Sequence, residues 1–336
     1  MLKLAFQLLL IALAGWLAGR VLGSVKWRDL GERLRTADPL FTLLALALLV
    51  GRFVVWDARW RLAFRRLGDP PSRWNSFFTL LGSASANTIT PTARLVGGLL
   101  RARYVSFAGD HTFGHVFGVV VFDQLAHQTV LVITGWLAFA GMAWLMGHEA
   151  LAWAALVALI VAAAIAGRLL ASLQGEGRGR LAAMLERRAG ARGDAGAMQS
   201  VYAHGREAVA VVRRLLGMPG LRRGALLLGI LYVLLNGMAQ WALFYAIGRP
   251  IDALTVLLAV TVGIAAGAFT GTPGGVGTTE AGMVLAYVAL EVPEVDAAAA
   301  TVFYRGLHYL VVLALGLPAL LVFEARLRRR AREEAG

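Results

Sequence analysis

The sequence predicts an all-α polytopic membrane protein, with about six full spans plus two broken re-entrant helical hairpins in an inverted-topology repeat. Three observations carry this. Hydrophobic residues make up 58% of the 336 residues, and mean hydropathy is +0.67, a level that soluble domains seldom reach. Several runs of about 20 apolar residues are each long enough to cross a bilayer core of roughly 30 Å. Two apolar segments are interrupted, by T-I-T-P-T-A-R-L-V-G-G at 88–98 and by T-G-T-P-G-G-V-G-T-T-E-A-G at 270–282. Proline and clustered glycines cannot continue a membrane helix, so the backbone opens and leaves amides without internal partners. Such backbone survives at membrane depth only where protein buries it or it lines a watery cavity.

The interruptions anchor an internal repeat. Pro91 aligns with Pro273 at an offset of 182 (273 − 91), and V-F-D-Q-L-A-H at 121–127 aligns with V-F-Y-R-G-L-H at 302–308 at 181 (308 − 127). Phe122 then matches Phe303, and His127 matches His308. Paired, interrupted hydrophobic segments in two halves are the best sequence pointer to a transporter site. The halves run about 38–145 and 223–323, inside one transmembrane domain covering 1–325.

In chain order, residues 2–22 form the first span. Lys3, an apolar run and Ala-Leu-Ala at 12–14 imitate a secretory signal. The run continues to about Val21 and further spans follow, so an uncleaved helix is expected. Full spans follow at 38–60, 112–145, 149–172, 223–247 and 295–323. The broken segments occupy 74–106 and 252–291. Each reads as half-helix, break and half-helix, with two kinked spans as the alternative.

Charge sets the orientation. Net charge is +13, but the basic residues sit mostly between spans, where topology accounts for them better than nucleic acid does. Arg59, Arg61, Arg65, Arg66 and Arg73 follow the second span, and arginines from 178 to 223 crowd the loop at 173–222. The tail at 326–336 adds Arg326, Arg328, Arg329, Arg330 and Arg332. Placing all of these inside puts both termini in the cytoplasm of a multi-pass protein of the cell membrane. The acidic connection E-V-P-E-V-D at 291–296 then lies outside. Residues 20–38 resist, because Arg20, Lys26, Arg28, Arg33 and Arg35 fall on the outer side. The first hairpin enters from the cytoplasm and the second from outside, so their breaks converge near the midplane. Within the basic loop, Val201, Ala208, Val209, Val212, Leu215 and Leu216 recur at helical spacing. This stripe suits an amphipathic helix on anionic headgroups or a helix packed beneath the membrane domain.

Ionisable side chains inside membrane segments cost about 2.5–3.5 kcal/mol each on insertion scales, so they are functional candidates by default. Arg52 and Asp57 lie on the second span, Arg94 follows the first break and Glu280 the second. Asp123 and His127 share a helix face, as do Tyr304 and His308, with Arg305 beside them. Asp123 and Arg305 are placed to pair across the pseudo-symmetry axis, or Arg305 and Arg94 to bind a lipid phosphate. Glu280 near a half-helix start is stabilised by the dipole and is suited to an ammonium group or a proton. Gly274, Gly275 and Gly277 can cradle a phosphate with backbone amides. The bland readings are structural ion pairs for the arginines and interhelical hydrogen bonds for the histidines, Asn236 and Gln240. Arg101 and Arg103 are expected at the cytoplasmic headgroup level. Cysteine is absent, which excludes disulfides and thiolate metal sites. No Walker A lysine, GxGxxG, HExxH or GxSxG is present, so no catalytic residue, metal or cofactor is expected.

P-G-G-V-G-T-T-E-A at 273–281, followed by Tyr304-Arg305, resembles the P-G-G-x-G-x-x-E-A and Y-R pattern of the lysylphosphatidylglycerol synthase transmembrane region, a family also described as flippase-like or UPF0104. T-P-T-A-R-L-V-G-G-L-L-R-A at 90–102 is similar to its first-half motif, usually T-P-x-R-x-G-E-x-x-R-A. The family's D-R corresponds to Asp123-Gln124. Gly98 stands where glutamate is usual and Gln124 where arginine is usual. The resemblance implies movement of lipids between leaflets, with Arg94, Arg101, Asp123, Glu280 and Arg305 at motif positions. It also implies no lipid aminoacyl-transferase activity, since that domain is lacking. The expected function is translocation of a phosphate-bearing lipid: an aminoacylated phospholipid, a glycolipid or a polyprenyl-linked lipid. The alternatives are a secondary transporter of a small hydrophilic solute and a non-transporting partner of a lipid-modifying enzyme. Membrane lipids with anionic headgroups are the expected partners, nucleic acid is not, and a homo-oligomer stays open.

Overall fold

The computed structural model describes residues 27–68, 70–90, 95–109, 111–174, 195–270 and 273–333. The span expected at 2–22 and the centre of the first break, with Arg94, lie outside them. Every described element is helical: α1 (Trp27–Arg35), α2 (Pro39–Leu67), α3 (Arg73–Ile89), α4 (Leu95–Ala108), α5 (Phe113–Leu145), α6 (Glu149–Gln174), α7 (Ala195–Leu216), α8 (Pro219–Ala246), α9 (Ala253–Thr270), a 3₁₀ turn (Pro273–Gly275), α10 (Thr278–Ala289) and α11 (Glu294–Glu333). The chain is a multi-pass membrane protein.

Local chemistry starts the helices where the sequence allows. Pro39 opens α2 at a position whose N–H has no helical partner anyway. The Asp38 carboxylate accepts from the Leu40 amide at 2.7 Å, and the Ser72 and Thr112 hydroxyls cap α3 and α5 in the same way. α2, α5, α8 and α11 are long and apolar enough to cross a bilayer. α4 and α10 are not. Their 14 and 12 residues reach only about 21 and 18 Å at about 1.5 Å per residue. Each instead folds back on the helix before it. A Cβ on Gly282 would come within 3.1 Å of Gly263 Cα across the α9–α10 contact, and the Gly97 amide donates to Asn87 Oδ1 at 2.8 Å between α4 and α3. The broken segments are therefore helical hairpins and not kinked spans.

The equivalent helices of the two halves run in opposite directions. Along α2 and α8, the Asp38 amide bonds the Ala246 carbonyl at 2.8 Å, Arg52 meets Asn236, and Leu62 lies against Gly224. Rising numbers on one helix meet falling numbers on the other, so the pair is antiparallel. The α3–α4 hairpin follows the end of α2, and the α9–α10 hairpin follows the end of α8. The two hairpins accordingly enter from opposite ends of the bundle. Packing is exchanged between halves: α3 lies along α11, and α9 lies along α5. The elbows meet, since a Cβ on Gly274 would sit 3.7 Å from Thr88 Cα.

Small residues permit these close crossings. On α3 and α11, Gly82 and Gly316 face backbone of the opposite helix, and Ser85 donates to the Val312 carbonyl at 2.6 Å. Ala297 to Ala300 are fully buried at the start of α11. The two larger apolar cores among the described residues centre on Leu49, Phe244 and Tyr287 and on Phe53, Trp60, Phe64 and Leu80. Leu227, Ile160, Leu310 and Leu321 point outward, as a lipid-facing surface requires.

Three expectations change. The stripe on α7 is rotated: Ala208, Val211 and Leu215 are buried, while Val201 and Val209 are 66% and 50% exposed. The cause is α5, whose Gly114 and Gly118 admit the α7 backbone, so α7 packs on the bundle. The tail from 326 continues α11 as helix to Glu333. The awkward basic stretch before α2 also gains partners. Arg33 pairs with Asp296, and Arg249 approaches the same carboxylate at 3.6 Å, so acid from the 291–296 connection offsets base at that end.

Gly316→Val forces a branched side chain into the Leu81 backbone and should lower stability by about 1–3 kcal/mol. Gly306→Ala, where nothing lies within 4 Å, should leave the protein unchanged. Melting curves in detergent compare the two.

Candidate functional site

Where the two cores meet, a cavity of about 120 Å³ opens, room for several waters. α2 supplies Arg52, Trp56 and Arg59 at i, i+4, i+7 spacing on one face. α5 supplies Asp123, Gln124 and His127; α11 supplies Tyr304, Arg305 and His308. Tyr232 and Asn236 of α8, Asn87 and Thr88 of α3, Gly274 and Thr279 complete much of the wall.

Three charge clusters surround it. In the first, Asp123 is 1% exposed. Its Oδ1 accepts from Arg59 Nε at 2.8 Å, and its Oδ2 accepts from Arg101 Nη1 at 3.1 Å and Trp56 Nε1 at 2.9 Å. One carboxylate thus serves two guanidiniums. Arg101 also lies over the rings of Trp56 and Trp60, at 5.4 and 5.3 Å from their centroids. Arg59 Nη1 lies 3.4 Å from His127 Nδ1.

The second cluster locks the elbow. Gly274, Gly275 and Gly277 take φ of 56°, 72° and 85°, the left-handed region that glycine enters without a Cβ penalty. The Glu280 Oε2 accepts from the freed Gly277 amide at 2.7 Å, and its Oε1 accepts from Arg305 Nε at 2.5 Å. Arg305 Nη2 donates to the Gly274 carbonyl at 2.8 Å and to Tyr309. Glycines, glutamate and arginine of the motif therefore form one unit. The glycines turn the chain, and the ion pair satisfies the backbone groups that the turn exposes.

Among the described residues, the third cluster has no carboxylate. Arg52 is 3% exposed and donates to Asn236 Oδ1 and His308 Nδ1, and to the Tyr304 hydroxyl at 3.2 Å. Its Nε has no hydrogen-bond partner. Guanidinium only donates, so His308 Nδ1 is an acceptor here. Among the described residues, four guanidiniums (Arg52, Arg59, Arg101, Arg305) stand with two carboxylates (Asp123, Glu280) around the cavity, a surplus of two positive charges, 4 − 2.

Of the residues expected from sequence, Arg52, Asp123, His127, Gly274, Tyr304, Arg305 and His308 line the cavity. Arg101 and Glu280 stand behind Asp123 and Arg305 as their counter-ions, while Gly275 and Gly277 shape the elbow. Two expectations are corrected. Asp123 and Arg305 do not pair with one another, because each is taken by a partner within its own cluster. Arg101 is not at a headgroup level but 1% exposed, since the carboxylate that neutralises it lies inside. Asp57 faces away from the cavity and accepts from Trp60 Nε1 at 3.0 Å and from Ser76. Sequence reasoning missed Trp56, Tyr232 and Asn87, and took Arg59 for a loop arginine. Its spacing of seven from Arg52 was the available signal.

The two motif departures are neighbours. A Cβ on Gly98 would lie 3.7 Å from Gln124 Nε2. By the repeat offsets these positions correspond to Glu280 (98 + 182) and Arg305 (124 + 181). The second half keeps an ion pair where the first half has neither member.

The sequence model of the family described as "Lysylphosphatidylglycerol synthase TM region" matches residues 4–316. A UPF0104 membrane protein of Methanocaldococcus jannaschii is 22% identical over 311 residues, 88% of this chain and 89% of the relative. A UPF0104 membrane protein of Methanothermobacter thermautotrophicus is 23% identical over 310 residues, with the same coverage.

Asp123→Asn leaves Arg59 and Arg101 buried without a counter-ion and should cost about 3–5 kcal/mol, read by thermal unfolding in detergent. Gly98→Glu and Gln124→Arg should each lower stability alone and recover part of it together. A double-mutant cycle measures that coupling, and strict additivity would exclude it.

Proposed function

We propose that this chain, which belongs to the lysylphosphatidylglycerol synthase TM region family, moves a phosphate-bearing membrane lipid between leaflets. The headgroup is held in the cavity while the acyl chains stay in the bilayer. The observation that supports this reading is the surplus of two positive charges around a polar cavity where opposed hairpins meet. Buried arginine without a counter-ion is costly at membrane depth, and an anionic ligand relieves that cost. Guanidinium forks match phosphate oxygens. Ile89 and Val276, which flank the two breaks, are 57% and 51% exposed, so apolar side chains face outward beside the polar site. A lipid needs both surfaces at once.

Substrates of this class include aminoacylated phospholipids, glycolipids carrying phosphate and polyprenyl-linked lipids. Arg94 joins the site in this proposal on sequence grounds. The arginine-rich end of the bundle, where α7 packs, is assigned to the cytoplasm of the cell membrane.

Reconstitution into liposomes with fluorescent phosphatidylglycerol tests the proposal. Wild-type protein should accelerate leaflet exchange, and Arg305→Ala and Glu280→Gln should slow it by about tenfold or more, because each breaks the ion pair that holds the elbow of the site. Exchange that neither substitution alters would remove Arg305 and Glu280 from the site. Uptake of a small soluble anion with no lipid exchange would replace the lipid with a hydrophilic solute.

A further inference from the structure

Arg305 holds the Glu280 carboxylate, and Arg59 and Arg101 share that of Asp123. For an incoming phosphate to take one of them, it must displace a full negative charge, which gains little. Arg52 differs. It is nine-tenths buried and more, it lines the cavity, its Nε has no partner, and among the described residues no carboxylate pairs with it. Its other nitrogens bond only neutral acceptors on Asn236, Tyr304 and His308. Neutral acceptors leave the Arg52 charge uncompensated, whereas an anion adds Coulomb attraction to the same hydrogen bonds, so exchange of partners at Arg52 is favourable.

The neighbours tolerate that exchange. Asn236 Oδ1 also accepts from the Tyr304 hydroxyl at 2.6 Å, and Asn236 Nδ2 donates to the Tyr232 carbonyl at 2.7 Å. When Arg52 turns towards an anion, the Asn236 oxygen therefore keeps a donor and is not left buried and unsatisfied. The guanidinium also lies over the Phe53 and Tyr232 rings, at 4.8 and 5.8 Å from their centroids, which holds its plane while its edge is free to rebind.

Resting on the lipid reading, we propose that Arg52 is the phosphate ligand of the cavity, with Asn236 and Tyr304 as the neutral cradle that releases it. Arg305 then serves the elbow and not the substrate. The ligand chemistry is a phosphate group with the rest of the molecule outside the cavity, whether borne by a lipid or free.

The test uses the full chain in nanodiscs and three probes: dihexanoyl phosphatidylglycerol, inorganic phosphate and dioctanoylglycerol, which has no phosphate. Tryptophan fluorescence reports binding through Trp56, which lines the cavity. Wild type should bind dihexanoyl phosphatidylglycerol and ignore dioctanoylglycerol, and Arg52→Gln should weaken binding by about tenfold or more. Asn236→Asp places a carboxylate against Arg52 without changing side-chain size. It should weaken binding to a similar extent with melting temperature maintained, so the proposal stays testable if Arg52→Gln does not fold. Unchanged affinity in Asn236→Asp, or wild-type binding of neither phosphate probe, would overturn the proposal. Binding of inorganic phosphate alone would keep Arg52 as the ligand and remove the lipid as its source. Arg52-dependent binding of dihexanoyl phosphatidylglycerol by a protein that never accelerates leaflet exchange would support this site while defeating translocation.

Discussion

Charge at membrane depth is the constraint around which this bundle is organised. Lipid cannot solvate a guanidinium, so the arginines buried around the cavity take partners from other helices. Those partners fix the packing. Asp123 draws α2 and α4 onto α5 through Arg59 and Arg101. Glu280 and Arg305 tie α10, the elbow and α11 together. Arg52 joins α2 to α8 and α11 through neutral groups alone. The second cluster balances its charge, the first keeps one positive charge in excess, and the third, among the described residues, faces the cavity without a carboxylate.

The halves are copies in backbone and opposites in electrostatics. At matching positions α5 carries Asp123-Gln124 and α11 carries Tyr304-Arg305. The first half thus centres on a carboxylate served by arginines, the second on an arginine served by a carboxylate. Gly98 and Gln124, adjacent in the fold, replace what the second half retains as an ion pair. Losing one member alone would strand a buried charge, whereas losing both leaves a small neutral gap. An exact two-fold site would bind its ligand equally from both sides. This one is polarised.

Each half packs its hairpin on the other half. α3 lies along α11 and α9 along α5, so each hairpin is carried by a long helix of the other half. Glycine at the crossings keeps those contacts close and free of long side chains that would interlock. Under the proposed translocation, rocking one half against the other would shift both elbows around the cavity, as in alternating access by inverted repeats.

Much of this was legible in the chain itself. Spans, breaks and hairpins follow from local composition: apolar length, glycine without a Cβ, and proline without an amide donor all act within a few residues. The repeat was readable because Pro91 and His127 have counterparts at nearly constant offset. Arg52, Asp123, His127, Tyr304, Arg305 and His308 of the cavity lining were named from their position on membrane segments. Pairing was not readable. Asp123 meets Arg59 and Arg101 and not Arg305, and this depends on which faces of α2, α4 and α5 turn inward once apolar surfaces pack. Arg59 sits in a run with Arg61, Arg65 and Arg66 that reads as a loop, and only the continuation of α2 to Leu67 brings it into the core. Sequence fixes where charge occurs along the chain. Which charges neutralise each other, and so which one is left for a ligand, is decided by helices brought together from distant parts of the chain.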